Sequence, residues 1–262
     1  MITSAHNPKI QWVRNLQARS RLRREAQAFV VEGVRLAGEA LASGWAAQLM
    51  LYTADSGERA RTIVEGFAQR GTPAEQVTPQ VLKAASDTLT QQGILVVLSM
   101  QPLPVPAQLD FAFIPDGVRD PGNLGTMLRT AAAAGVGAVF LPPGSVDAYS
   151  PKVLRAGMGA HFRLPVLNLD WEGIAAQMRL HGLTGYLATA GQGVDYARVD
   201  LCSPLAILVG GEAAGPGQDA QNLSKAYLHI PMPGGMESLN TAMAAGILLF
   251  EVVRQRRSQM TP

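Results

Sequence analysis

Between Phe111 and Pro231 the chain alternates short apolar runs with stretches of helical periodicity, and this alternation restricts the fold more than any other feature. The runs are Phe111–Pro115, Ala138–Leu141, Leu164–Leu167, Gly185–Thr189, Leu205–Val209 and Ala226–Pro231. Short, nearly continuous apolar strands separated by helices predict a mainly parallel sheet covered by helices on both faces. In such sheets ligands bind beyond the carboxyl ends of the strands, so the loops that follow the runs are the places to look for chemistry.

The first hundred residues are organised differently. A helix is predicted near Ile10–Gln27, followed by strands at Ala28–Glu32, Gln48–Tyr52 and Ile94–Leu98 with helical stretches between them, which makes a small α/β unit. Pro102, Pro104 and Pro106 alternate through residues 101–108, where fixed φ angles and missing amide donors disfavour helix and central strand. The expected division is therefore a domain at 1–100, a linker at 101–108 and a second domain at 109–262. Ser150-Pro151 marks a helix start, with serine as cap and proline first. Leu239, Met243, Gly246, Phe250 and Val253 keep a helical period, so the last long element is read as an amphipathic helix with that stripe as its apolar face.

Apolar residues make up 47% of the chain and charged residues 16%, the balance of a globular protein. The longest apolar runs, such as Gly93–Met100 and Ala244–Phe250, fall short of the roughly 20 residues that span a bilayer, so no membrane partner is expected. The single cysteine, Cys202, rules out an internal disulfide and points to a reducing compartment. With no export signal, the expected location is the cytoplasm. His6, His161, His181 and His229 show no metal-ligand spacing, so no metal is expected.

The net charge of +2 hides an uneven distribution. Residues 1–35 hold seven basic side chains against Glu25 and Glu32, a local charge of +5, which leaves −3 for the remainder. Lys9, Arg19, Arg21, Arg23, Arg24 and Arg35 are the candidate phosphate contacts, since guanidinium groups pair with phosphate oxygens and displace counterions. A merely solvated basic face and an organelle transit peptide are the competing accounts. The second is opposed by the direct run into the strand-like Phe29-Val-Val-Glu-Gly33.

Three clusters sit at strand-to-loop junctions. Asp116-Gly-Val-Arg-Asp-Pro-Gly-Asn-Leu-Gly-Thr-Met-Leu-Arg129 opens a helix whose apolar stripe is Leu124, Met127, Leu128 and Ala131, with Arg129 beside it. Leu208-Val-Gly-Gly-Glu-Ala-Ala-Gly-Pro-Gly217 ends a strand in a glycine-rich loop where a ligand can approach the backbone closely. It lacks both the Gly-Lys-Ser/Thr of a P-loop and the Gly-x-Gly-x-x-Gly of a dinucleotide site, which argues against a dehydrogenase. Ile230-Pro-Met-Pro-Gly-Gly-Met-Glu-Ser-Leu-Asn240 leads into the terminal helix. Taken singly, Arg129 suits a surface arginine, Glu212 a solvated turn carboxylate, and Ser238 or Asn240 a helix cap.

In this order and spacing, the three clusters resemble the SpoU/TrmH family of RNA ribose 2′-O-methyltransferases within the SPOUT superfamily, over residues 110–257. Residues 1–100, through Ser4-Ala-His-Asn-Pro-Lys-Ile and Phe29-Val-Val-Glu-Gly-Val-Arg-Leu, are similar to the ribosomal-protein-like substrate-recognition domain that many members carry in front. The resemblance implies an α/β SPOUT-type sheet with a trefoil knot, S-adenosylmethionine as cofactor, and a homodimer formed through the catalytic domains. It implies catalytic roles for Asn123, Arg129, Glu212, Ser238 and Asn240. It also implies cofactor contacts from Gly210, Gly211, Ile230, Met232 and Leu239, largely through backbone groups and an apolar pocket. Arg129 is read as a phosphate anchor that stabilises charge on the 2′-oxygen, because free guanidine is scarce at neutral pH. The alternative account makes Arg129 the general base. The front domain favours ribosomal over transfer RNA; a tRNA enzyme and a non-catalytic RNA-binding protein on the same fold are the alternatives. Four positions depart from the family pattern: Gly211 replaces asparagine or another polar residue, Ala213 glycine, Pro216 leucine or methionine, and Thr241 valine.

Overall fold

The computed structural model describes residues 1–88, 90–101, 103–211 and 215–260, with the Met260 side chain excepted. Its contacts divide the chain into two units, Met1–Gln101 with Tyr149–Phe162, and Pro102–Ala148 with Arg163–Pro262.

The first unit begins with α1 (Pro8–Ala18) and α2 (Ser20–Ala26), then β1 (Ala28–Glu32), α3 (Val34–Ala42), β2 (Ala47–Tyr52), α4 (Glu58–Gln69), β3 (Ala74–Gln76), α5 (Pro79–Ala85) and β4 (Ile94–Ser99). The single helix expected over 10–27 is broken at Arg19, whose extended backbone (φ −129°, ψ 113°) caps α1 by donating its N–H to the Asn15 carbonyl. Among the described residues the sheet has the order β1-β4-β2-β3, with β4 antiparallel to β1 and β2, and the short edge strand β3 parallel to β2. Strand β3 escaped the sequence reading because Ala-Glu-Gln carries no apolar alternation. Ile10, Val13 and Leu16 of α1 bury against Val30, Leu51, Leu95 and Val97.

The segment 149–162 also belongs to this unit. Tyr149 packs on Phe29 with ring centroids 4.9 Å apart and the rings tilted by 47°, Phe162 meets Trp45 edge-on at 5.2 Å, and Arg155 pairs with Asp87 at 2.8 Å. The segment contains α7 (Pro151–Gly157), which starts at the expected Ser150-Pro151, although the Ser150 hydroxyl makes no capping bond.

The second unit contains β5 (Phe111–Asp116), α6 (Pro121–Ala133), β6 (Ala138–Leu141), β7 (Val166–Asn168), α8 (Trp171–Leu180), β8 (Thr184–Ala188), β9 (Val194–Asp195), β10 (Leu205–Gly210), α9 (Gln218–Asn222), β11 (Ser224–His229) and α10 (Thr241–Met260). Its seven described strands form one sheet in the order β7-β6-β5-β10-β8-β11-β9, and every pairing is parallel, as the alternation predicts. Only the two-residue β9 lay below the resolution of the pattern. Ala112, Ile114, Ala206 and Leu208 pack on one face against Ile174 and Met178 of α8.

The terminal helix corrects the expected stripe. Ala242, Ala245, Leu248, Leu249 and Val252 are buried, whereas Met243 is 60% and Phe250 48% exposed. Thus α10 carries two apolar faces, and periodicity alone does not tell the outer one from the face of alanine, leucine and valine that packs against the sheet and α6.

A polar seam holds the carboxyl end of α10. The buried Glu251 carboxylate accepts from Arg254 Nε at 2.8 Å, Arg254 Nη2 at 2.7 Å and Gln255 Nε2 at 2.8 Å. Gln255 also donates to the Val199 carbonyl and accepts from the Leu201 N–H. The hydrogen bonds from Arg254 hold the Glu251 carboxyl below its ordinary range, against the opposing effect of burial. A carboxylate with a depressed folded pKa adds stability that is complete above the unfolded value, about 4.3, and is lost as the pH falls through the folded value. Glu251→Gln is therefore expected to flatten the acid limb of melting temperature against pH below about pH 5; superimposable limbs for the two proteins would show that the seam contributes nothing.

Candidate active site

A cleft of about 960 Å³ opens at the carboxyl edge of the parallel sheet, where β8, β10 and β11 end. Its walls include Leu187, Val209, Ile230 and Leu239, and its rim carries Thr189, Gln192, Ser238 and Asn240. All five residues expected to hold a cofactor, Gly210, Gly211, Ile230, Met232 and Leu239, line it. So do two of the expected catalytic residues, Ser238 and Asn240. Glu212 and Ala213 lie outside the described residues.

The cleft exists because backbone comes close to backbone at the end of β10. Gly210 pairs in register with Asp116, the last residue of β5. A Cβ on Gly210 would fall 2.7 Å from the Pro216 nitrogen, and one on Gly211 would fall 2.5 Å from the Gly117 carbonyl oxygen. Gly211 bridges back to Gly215, and the buried Asp116 carboxylate accepts from the Gly217 N–H at 2.8 Å, so the ends of the glycine-rich loop are tied to the end of β5. Asp116 went unassigned in the sequence reading, although it stands at the strand-to-loop junction that the reading singled out.

The third cluster is fastened to the first two by its polar residues. Asn240 Oδ1 accepts from the N–H groups of Ala242 (2.9 Å) and Met243 (3.2 Å), capping α10, while its Nδ2 donates to Asn123 Oδ1 at 3.2 Å. Asn123 lies in the first turn of α6, where its own N–H is capped by Asp120 at 2.8 Å. Capping and site roles therefore fall on the same asparagine. The N-termini of two helices meet at this pair, with their first N–H groups occupied by the Asp120 carboxylate and the Asn240 amide oxygen. Arg129, almost two turns further along α6, is exposed and has no hydrogen bond or ion pair among the described residues.

Of the six basic residues expected to meet phosphate, Arg23 is corrected. It is 4% exposed and its Nη1 donates to the carbonyls of Leu16 and Gln17, closing the carboxyl end of α1. The break at Arg19 turns α2 so that this side chain points inward. Lys9, Arg19, Arg21, Arg24 and Arg35 are exposed, with Lys9 paired to Glu75 and Arg21 to Glu25.

The departures from the family pattern now have physical content. Gly211 sits where any side chain would meet the Gly117 carbonyl, and the Thr241 hydroxyl donates to the Gly210 carbonyl at 2.9 Å, a tie that valine cannot make. Gly211→Ala is expected to cost about 1–3 kcal/mol of S-adenosylmethionine binding through forced movement of the loop. Thr241→Val should cost about 1 kcal/mol, roughly fivefold. Calorimetric titration measures both, and an unchanged affinity for Gly211→Ala would remove the close-approach argument.

Comparison with known proteins agrees with this arrangement. The model of the SpoU rRNA Methylase family matches residues 110–250, and that of the MRM3-like substrate binding domain matches residues 7–96. The 23S rRNA (guanosine(2553)-2′-O)-methyltransferase RlmP of Bacillus subtilis is 33% identical over 253 residues, covering 96% of this chain and 98% of that one. The mitochondrial rRNA methyltransferase 3 of Homo sapiens is 33% identical over 303 residues, covering 92% of this chain and 71% of its own. Among solved structures, the AdoMet-bound rRNA methyltransferase from Sinorhizobium meliloti superposes with a TM-score of 0.87 at 30% identity, covering 97% of each chain. With the glycine-rich and Ser-Leu-Asn clusters lining one cleft, Asn123 of the first cluster bonded to Asn240, and the family model spanning more than half its length, the chain belongs to the SpoU rRNA methylase family.

Proposed function

We propose that this protein methylates a ribose 2′-hydroxyl of ribosomal RNA with S-adenosylmethionine, the second unit performing the chemistry and the first recognising the RNA. The observation that carries this reading is the cleft at the sheet edge, whose rim residue Asn240 bonds to Asn123 on the helix that bears Arg129. Relatives named as rRNA methyltransferases support the substrate class.

The residues present fit the cofactor. The cleft lies within the roughly 300–1,000 Å³ typical of small-molecule sites. Leu187, Val209, Ile230 and Leu239 offer an apolar wall for an adenine ring, and Gly210 and Gly211 leave backbone groups open to a ligand. When bound, S-adenosylmethionine supplies an electrophilic methyl group.

The chain's own residues position and activate the acceptor. Asn123, Asn240 and Ser238 orient the ribose. Arg129, with its fork of donors unengaged, holds the phosphate beside the target ribose and stabilises negative charge developing on the 2′-oxygen. Guanidinium is not deprotonated in proteins, so the hydroxyl proton leaves to a phosphate oxygen or water as the new C–O bond forms. The role proposed for Glu212, pairing with Arg129, rests on the family pattern alone.

Within the same proposal the exposed Arg19, Arg24 and Arg35 contact RNA phosphates. The enzyme forms a homodimer through the outward face of α10, where Met243 and Phe250 are exposed. The implied knot is supported by the placement of β10 between β5 and β8 with α10 returning onto β10. A cytoplasmic location accords with the single free cysteine.

Labelled methyl transfer into ribosomal RNA, followed by mapping of the modified ribose, tests the reaction. Arg129→Ala and Arg129→Lys are each expected to lower turnover by about 100-fold or more. Cofactor affinity should hold, because Arg129 does not line the cleft. Substantial turnover in Arg129→Lys would refute the forked-anchor role. Met243→Asp with Phe250→Asp should shift sedimentation from dimer to monomer, whereas an unaltered sedimentation coefficient would place the interface elsewhere.

A further inference from the structure

The described lining of the cleft carries almost no formal charge. Among its described lining residues, Glu237 alone is ionisable as an acid or a base within the ordinary pH range apart from the phenol of Tyr227. Glu237 is exposed on the loop that enters α10, and among the described residues it has no ion pair or hydrogen bond. The loop otherwise consists of Ile, Pro, Gly, Met, Ser, Leu and Asn.

This carboxylate, the one among the described lining residues, stands beside an electrostatic difficulty. The first residue of α10, Thr241, lines the cleft, and the positive end of this helix of 20 residues disfavours a cation there. No acidic residue occupies the first turn of α10 to offset it. Yet the ligand of the proposed reaction is a sulfonium, which carries one more positive charge than its thioether product. A site built only of apolar walls, amides and a helix N-terminus would favour the product over the substrate, and the enzyme would be held back by what it makes.

We infer that Glu237 is a charge-selecting residue of the cofactor cleft: its carboxylate favours the sulfonium of S-adenosylmethionine over S-adenosylhomocysteine, and so promotes exchange of product for fresh cofactor. The inference rests on the cofactor reading above. Its mechanism is long-range attraction, so it requires no direct contact, and it weakens as salt screens the charge. Because the carboxylate is exposed, the effect is moderate, about three- to tenfold in relative affinity.

The test is calorimetric titration of the full chain and of Glu237→Gln, which keeps shape and removes charge. Three ligands are used: S-adenosylmethionine, S-adenosylhomocysteine, and sinefungin, which carries an ammonium group where the sulfonium stands. Glu237→Gln should weaken binding of the two cationic ligands by about three- to tenfold relative to the thioether, more at low salt than at high. Glu237→Lys should extend the trend. Circular dichroism confirms folding of both variants, which alter an exposed loop position. Equal weakening for all three ligands, or none, overturns the inference while leaving the cofactor reading intact. Failure of the unaltered protein to bind S-adenosylmethionine overturns both.

Discussion

The approach of backbone to backbone at the end of β10 is the constraint on which the rest of the second unit depends. Gly210 and Gly211 have no room for a side chain against Pro216 and the Gly117 carbonyl, and Asp116 reaches across to the Gly217 N–H. Since β10 lies between β5 and β8, any widening at this point separates the strand ends that form the cleft floor. The Thr241 hydroxyl, bonded to the Gly210 carbonyl, then fixes where α10 starts, and the cap formed by Asn240 follows from that start. Three segments far apart in the chain are thereby joined by a few hydrogen bonds at one sheet edge.

The same bonds set the electrostatics. Linking the first turn of α6 to the cap of α10 through Asn123 and Asn240 brings two helix N-termini together, with the Asp120 carboxylate capping one of them. The reacting group of the cofactor is a cation, and among the described residues that line the cleft the one carboxylate is that of Glu237, on the loop before α10. The α10 helix also has two apolar faces: Ala242, Ala245, Leu248, Leu249 and Val252 are buried inside, while Met243 and Phe250 stand outside.

Much of this was legible in the linear chain. Strands β1, β2, β4, β5, β6, β8 and β10 fall within a residue or so of their apolar runs, because strands buried on both faces are nearly continuous in apolar residues. Strands β3 and β9 were missed, being short, polar edge elements whose pairing depends on a neighbour and not on their own composition. The glycine-rich loop and the Ser-Leu-Asn cluster were legible as strand-end features, and five of five expected cofactor residues line the cleft.

Composition and periodicity by themselves determined the parallel α/β class and the positions of the three clusters, since these depend on local backbone preference and burial pattern. Tertiary structure alone decided which arginine is buried, which face of α10 turns inward, that Tyr149–Phe162 packs with the first unit, that Asp116 ties the glycine-rich loop, and that Thr241 and Glu237 line the cleft. The reason is physical: a residue's neighbours across a sheet edge, and the charge they present together, are set by strand order and close packing, which no local pattern in the chain encodes.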